Sequence, residues 1–220
     1  MKAAAKQTAV KICGVCSVED ARAADRAGAS YVGVILSPHH KRSQTLKQAS
    51  PILEAVDDAQ RVGVFVDASI PELLRARQHL SLDVIQLHGI ESPADVRAVR
   101  EQTGVALWKA LRPRSEEELK RLIGAYAGIA HGLLLEGWTA AGAGGTGAKG
   151  DWSMAATLRR EAPAGTTFIL AGGLDPGNVA AAIRIAAPDV VDVSSGVEAS
   201  IGIKSTERIG AFITAAHAAG

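Results

Sequence analysis

Short apolar runs of strand length recur along the chain, each followed by a longer segment whose apolar positions fall three and four apart. The runs are AVKIC (9–13), YVGVIL (31–36), RVGVFV (61–66), DVIQLH (83–88), VALWKA (105–110), GLLLE (132–136), TFILA (167–171) and VVDVS (190–194). They are rich in β-branched residues and almost continuously apolar, the pattern of parallel strands buried on both faces. Helix-start signals punctuate the gaps. Ser17 with Asp20, Ser69 with Glu72, Ser92-Pro93 with Asp95 and Ser115 with Glu118 read as capping boxes, and Asp175-Pro176 opens the helix after the seventh run. In the stretch 92–101, Val96 and Val99 fall on one side and the charges elsewhere. Eight strands alternating with eight helices predict an α/β chain forming a single (β/α)8 TIM barrel over residues 1–220. The competing arrangement is an open doubly wound sheet. Its G-x-G-x-x-G fingerprint is missing after the first strand, where C-G-V-C-S stands instead.

Composition narrows the class of partner. With 47% hydrophobic and 21% charged residues, the chain can bury a real core, and a formal charge of +1 offers no field for a polyanion. Nucleic acid is therefore not an expected partner. No run of 18 apolar residues occurs and the first residues lack a signal-peptide core, so no membrane span is expected and the expected location is the cytoplasm. Two cysteines do not make a disulfide framework.

Those two cysteines form a C-x-x-C pair, Cys13 and Cys16, which elsewhere marks a redox couple or half a zinc site. Zinc would need two further ligands, and there is no second cysteine pair. His39 and His40 are adjacent and not at ligand spacing.

A barrel places its chemistry at the C-terminal ends of its strands. Read there, strand 1 ends at Cys13, strand 4 at His88, strand 6 at Glu136, strand 7 at Gly172-Gly173 and strand 8 at Ser194-Ser195-Gly196. Small residues before a helix start let backbone N–H groups approach an anion, and loops after strands 7 and 8 often hold phosphate in such barrels. Gly172, Gly173, Ser194, Ser195 and Gly196 are thus the expected phosphate-binding set. The loop after strand 6 has glycines at 142, 144, 145 and 147, which suits a segment that closes over substrate.

The pieces KICG (11–14), GVFVD (63–67), QLHG (86–89), GGTG (144–147) with DW (151–152), AGGLDPGNV (171–179) and DVSSGVE (192–198) occur in one order across nearly the whole chain. In that combination the chain resembles phosphoribosylanthranilate isomerase, the barrel enzyme of tryptophan biosynthesis. The resemblance implies an Amadori rearrangement of N-(5-phosphoribosyl)anthranilate, a small phosphosugar carrying anthranilate, with no cofactor or metal, by a monomer or homodimer. It implies Cys13 as general base and Glu136 as general acid, with Arg42, His88, Gly145 and Thr146 contacting substrate. Lys11 shares a strand face with Cys13 and is placed either to stabilise its thiolate or to fill the barrel interior. Arg42 is expected to pair with the anthranilate carboxylate. Asp192, inside strand 8, is expected to be a buried carboxylate orienting its neighbours.

The chain departs from the family pattern at three places. Glu136 stands where the family has aspartate, adding one methylene to the acid. His39, His40 and Ser43 surround Arg42 in an altered loop. Lys204-Ser205 replaces a lysine–aspartate pair, which predicts a changed peripheral charge pair or cap. These departures leave an alternative: a diverged homologue that binds or isomerises a different phosphosugar.

Overall fold

The computed structural model describes residues 7–38, 40–136 and 152–219. Eight parallel strands close into a barrel in chain order: β1 (Ala9–Cys13), β2 (Tyr31–Ile35), β3 (Gln60–Phe65), β4 (Val84–Leu87), β5 (Ala106–Leu111), β6 (Gly132–Glu136), β7 (Thr167–Ala171) and β8 (Val190–Val193). Each strand end lies within one residue of its sequence expectation. Helices α1 (Val18–Arg26), α2 (Leu46–Glu54), α3 (Ile70–Leu80), α4 (Pro93–Thr103), α5 (Glu116–Tyr126), α6 (Ser153–Glu161), α7 (Val179–Ala186) and α8 (Thr206–His217) follow the strands in turn. Among the described residues no helix is long and apolar enough to cross a membrane.

Alternation along the strands sorts the core into two layers. One apolar cluster lies inside the barrel and includes Val62, Val64, Val84, Trp108, Leu134, Ile169 and Val190. The other lies between barrel and helices and includes Ile12, Val32, Leu107, Leu133, Phe168 and Phe212. Tyr31 meets Trp108 edge-on inside the barrel, with ring centroids 4.9 Å apart. Because side chains alternate, the inward positions one step above this layer form the barrel mouth.

The helix starts follow their local chemistry, with three corrections. Ser69–Glu72 and Ser92–Asp95 form reciprocal capping boxes. Ser17 caps α1 by accepting the Asp20 N–H, but the Asp20 carboxylate does not reach back. It accepts the Lys204 N–H instead, tying α1 to the end of the chain. Likewise Ser115 accepts the Glu118 N–H, while the Glu118 carboxylate accepts the Arg114 N–H. The helix after β7 starts later than expected. Asn178 Oδ1 accepts the Asp175 N–H and Asp175 Oδ1 accepts the Gly177 N–H, so residues 175–178 form a turn before α7.

One addition to the eightfold pattern was not expected. After β8 a 3₁₀ turn (Ser195–Val197) leads into a short antiparallel hairpin, β9 (Glu198–Ser200) with β10 (Ile203–Lys204). This hairpin folds Lys204 back beneath the end of β8.

Candidate active site

Inward-facing polar side chains rise from the strands below the mouth. On β1, Lys11 is fully buried and its Nζ lies 2.8 Å from Asp192 Oδ2 on β8. Cys13, two residues on, is buried at the strand end. The neighbouring strand makes room for both. A Cβ on Gly33 would sit 3.0 Å from Lys11 Cε and 3.4 Å from Cys13 Sγ, so a larger residue would press on both side chains. Burial works against a charge on Lys11, but Asp192 and Cys13 together outweigh it and raise its pKa. Burial also raises the Cys13 thiol, and the Lys11 ammonium offsets only part of that. Lys11 is therefore both an interior residue and the cation nearest the thiol, and Asp192 is the buried carboxylate that holds it.

On the far side of the mouth, Gln86 on β4 contacts His88 Nδ1 at 3.0 Å, and His88 Nε2 lies 3.3 Å from Glu136 Oε2. Arg112, one residue past β5, donates from Nε to the same oxygen at 2.8 Å and from Nη2 to the His88 carbonyl at 2.9 Å. The reason is register. Leu111 of β5 pairs with Leu135 of β6 and both are buried in the helix-side cluster, so Arg112 and Glu136 follow on the mouth side. Burial pushes the Glu136 carboxyl up, but His88 and Arg112 together overcome this and hold it at about 2. Sequence reading missed Arg112. Pairing the last residues of adjacent strands would have found it.

The loop after β2 holds Arg42, the residue expected to meet the substrate carboxylate, and here its guanidinium is forked on Glu198. Its Nε and Nη2 donate to both oxygens of Glu198 at 2.6 and 2.7 Å. Glu198 in turn accepts Lys204 Nζ at 3.0 Å, and Lys204 also donates to the Ser194 carbonyl at 3.1 Å. Lys204 is buried, so its charge is not peripheral, and Ser205 retains the cap by accepting the Arg208 N–H. Gly14 permits this packing: its backbone is left-handed (φ +67°), and a Cβ there would meet Arg42 Cδ at 2.7 Å. His40 Nδ1 accepts the Arg42 N–H at 3.2 Å, which leaves Nε2 carrying the proton of the neutral ring. His39, Gly145 and Thr146 lie outside the described residues.

The expected anion loops do come together. Gly196 packs so closely on the Leu174 carbonyl that a Cβ would stand 2.0 Å from its oxygen. Gly172 and Gly173 have φ of +93° and +65°. Among the described residues, the backbone N–H groups of Gly172, Gly173, Ser195 and Gly196 have no hydrogen-bond partner. Gly196→Ala is expected to cost about 1–3 kcal/mol of stability in urea denaturation, since a backbone carbonyl must move to admit the methyl group. An unchanged midpoint would contradict the close packing.

A second buried pair braces the rim. Lys109 Nζ lies 2.9 Å from Glu91 Oε2 and 2.8 Å from the Gly89 carbonyl, and Glu91 accepts the N–H groups of Gly89 and Asp67. It clamps the loops after β3 and β4 and so fixes the backbone that carries His88. The cysteine pair, by contrast, comes apart. Cys16 Sγ lies 3.5 Å from the Gly14 carbonyl and 3.6 Å from that of Arg42, both cysteines are free, and no metal-holding group of His, Cys, Asp or Glu occurs among the described residues.

Residues 10–215 match the family model described as N-(5'-phosphoribosyl)anthranilate (PRA) isomerase. The chain belongs to the phosphoribosylanthranilate isomerase family. The isomerase of Thiobacillus denitrificans is 40% identical over 213 residues, covering 95% of this chain and 98% of that one. That of Azotobacter vinelandii is 41% identical over 204 residues, 92% and 94% of the two chains. The crystal structure of phosphoribosyl anthranilate isomerase from Thermotoga maritima superposes with a TM-score of 0.86 at 34% identity, over 95% of this chain and 98% of that chain. A phosphoribosyl anthranilate isomerase in complex with reduced 1-(o-carboxyphenylamino)-1-deoxyribulose 5-phosphate superposes at 0.82 and 32% identity, with the same coverage.

Proposed function

We infer that the chain converts N-(5'-phosphoribosyl)anthranilate to 1-(2-carboxyphenylamino)-1-deoxyribulose 5-phosphate, with Cys13 and Glu136 as its proton-transfer groups. The observation that carries this reading is their placement at the mouth of a family barrel. Cys13 ends β1 and Glu136 ends β6, three staves apart around the ring, with the unpartnered N–H groups after β7 and β8 between them. Two groups so separated reach a sugar from different sides.

In this assignment the phosphate sits on the N–H groups of Gly172, Gly173, Ser195 and Gly196 with the Ser194 hydroxyl, and Lys204 beneath adds positive charge. Glu136 gives a proton to the furanose ring oxygen. The C1–O bond breaks, the ring oxygen becomes a hydroxyl, and the anthranilate nitrogen lone pair forms a protonated imine. The Cys13 thiolate takes the proton from C2, and the electrons of that bond neutralise the imine as an enol-amine. Loss of the enol proton and gain of a proton at C1 give the ketone. His88 aims Glu136, and Lys11 faces the thiolate that the base requires. Arg42 holds Glu198 and, through it, Lys204. The substrate is a phosphate anion that does not cross membranes unaided, so we assign the reaction to the cytoplasm.

The alternative of a different phosphosugar is not favoured, given relatives of this one activity at about 40% identity along nearly the whole chain. The direct test is incubation with N-(5'-phosphoribosyl)anthranilate, which is expected to yield the amino-ketose phosphate and, in cells, to rescue a tryptophan auxotroph lacking this step. Binding of the substrate with no conversion would remove the assignment.

A further inference from the structure

The end of the barrel opposite the mouth is fastened by a device that repeats at every second strand. Ser30, Asp83, His131 and Asp189 stand immediately before β2, β4, β6 and β8. Each donates its backbone N–H to the carbonyl of the second residue of the preceding strand: Val10, Arg61, Leu107 and Phe168. Each side chain then accepts the N–H of that same residue. Val10 N lies 3.3 Å from Ser30 Oγ, Arg61 N 2.8 Å from Asp83 Oδ2, Leu107 N 3.0 Å from His131 Nδ1 and Phe168 N 2.9 Å from Asp189 Oδ2. Their backbone carbonyls reach onward and accept the N–H of the first residue of the next odd-numbered strand, Gln60, Ala106, Thr167 and Ala9 in turn. The four residues therefore tie β1, β3, β5 and β7 into a closed ring.

One link differs in kind. A hydroxyl or a carboxylate accepts a hydrogen bond throughout the neutral range, but an imidazole nitrogen accepts only while it carries no proton. We propose that His131 is a pH-sensitive joint in this ring, whose protonation turns Nδ1 into a donor, breaks the bond from Leu107 and loosens the β5–β6 junction from below. His131 is exposed, so solvent protons reach its ring directly. Leu107 is 0% exposed, so its N–H has no ready water to turn to. From α4 the Arg100 guanidinium faces the imidazole while it donates to the carbonyls of Gly128 and Ile129. The residues that His131 meets on β5 and β7, Leu107 and Thr167, carry no charge. Partial burial first and the Arg100 charge second lower the His131 pKa from its ordinary 6.5. The opened joint thus binds a proton more readily than the closed one. Its contribution is full above the ordinary imidazole value and is lost as pH falls through the lowered one. The joint lies at the far end of the barrel from Cys13 and Glu136, so it is independent of the assigned chemistry.

Amide hydrogen exchange of the full chain, read by NMR and normalised to intrinsic rates, follows the four clamped N–H groups separately. The comparison runs from about pH 7.5 to about pH 5, above the ordinary carboxyl value of about 4. Over that window the wild-type Leu107 N–H is expected to lose protection by about 5- to 30-fold relative to those of Val10, Arg61 and Phe168. The upper figure is the proton linkage of an ordinary imidazole about 1.5 pH units below its pKa. His131→Asp supplies the acceptor type that serves β3 and β7, and it is expected to hold the Leu107 ratio constant. His131→Ala is expected to leave Leu107 poorly protected at both ends of the window. Nitrogen-correlated spectra of the wild type at the upper pH are expected to show the Nε2–H tautomer of His131. A wild-type Leu107 N–H that keeps pace with the other three overturns the proposal. So does a His131→Asp chain with the wild-type drop, a fully protected Leu107 in His131→Ala, or an Nδ1–H tautomer. Should His131→Ala not fold, the wild type and His131→Asp decide the matter.

Discussion

Replacing Cys13 with alanine is expected to lower kcat/KM by about 10²- to 10⁴-fold, the range for loss of a positioned acid or base, while the product analogue still binds. The size follows from the surroundings. Lys11 is bound to Asp192 and its raised pKa keeps it protonated, so it cannot take over as base. Serine at position 13 is expected to fail as well, since a hydroxyl does not ionise where a thiol does. Cys16→Ala is the control and should leave turnover unchanged, because Cys16 Sγ bonds the backbone carbonyls of Gly14 and Arg42 and neither proton-transfer group. The pH profile carries the same signature. The base works as thiolate and burial raises the Cys13 pKa, so kcat/KM should climb as pH rises through neutrality and level off above the ordinary thiol value. Substantial activity in Cys13→Ala, within tenfold of the wild type, would remove the thiol from the mechanism.

The second large effect is on stability. Lys11→Met is expected to destabilise the fold by about 3–5 kcal/mol, as when one partner of a buried ion pair is deleted. Lys11 is 0% exposed and Asp192 only 7%, so water cannot replace the ammonium. Asp192 Oδ1 already has no partner among the described residues, and the change would strip Oδ2 as well. The double replacement Lys11→Met with Asp192→Asn should regain much of the loss, because the orphaned charge is gone. Urea denaturation of the three variants checks this, and a loss under 1 kcal/mol in Lys11→Met would mean that solvent reaches the pair.

The fold was legible because strands buried on both faces leave unbroken apolar runs, and GLLLE or TFILA can be read without a partner. Cys13 and Glu136 were named from the family resemblance, and they stand at the ends of β1 and β6 as their runs predict. What could not be read depends on which strands lie side by side and in what register. Arg112 looks like any loop charge in LRPRS until Leu111 is known to pair with Leu135. Glu198 lies 156 residues from Arg42, and no local pattern announces their fork. Lys204 read as peripheral because the hairpin of β9 and β10, which carries it under Ser194, is only three and two residues per strand. The Asp20 carboxylate was assigned to its own helix because the competing donor is 184 residues away.

The Lys11–Asp192 contact has a consequence for how the molecule comes into being. It spans 181 positions and lies on the seam where β1 meets β8, the pairing that closes the barrel and cannot form until β8 has been made. Closing so long a loop is entropically costly and slow compared with joining neighbouring βα units. Until β8 leaves the ribosome, Lys11 has no counter-ion and Cys13 faces an open edge. The thiol's electrostatic setting is thus assembled only when the barrel closes.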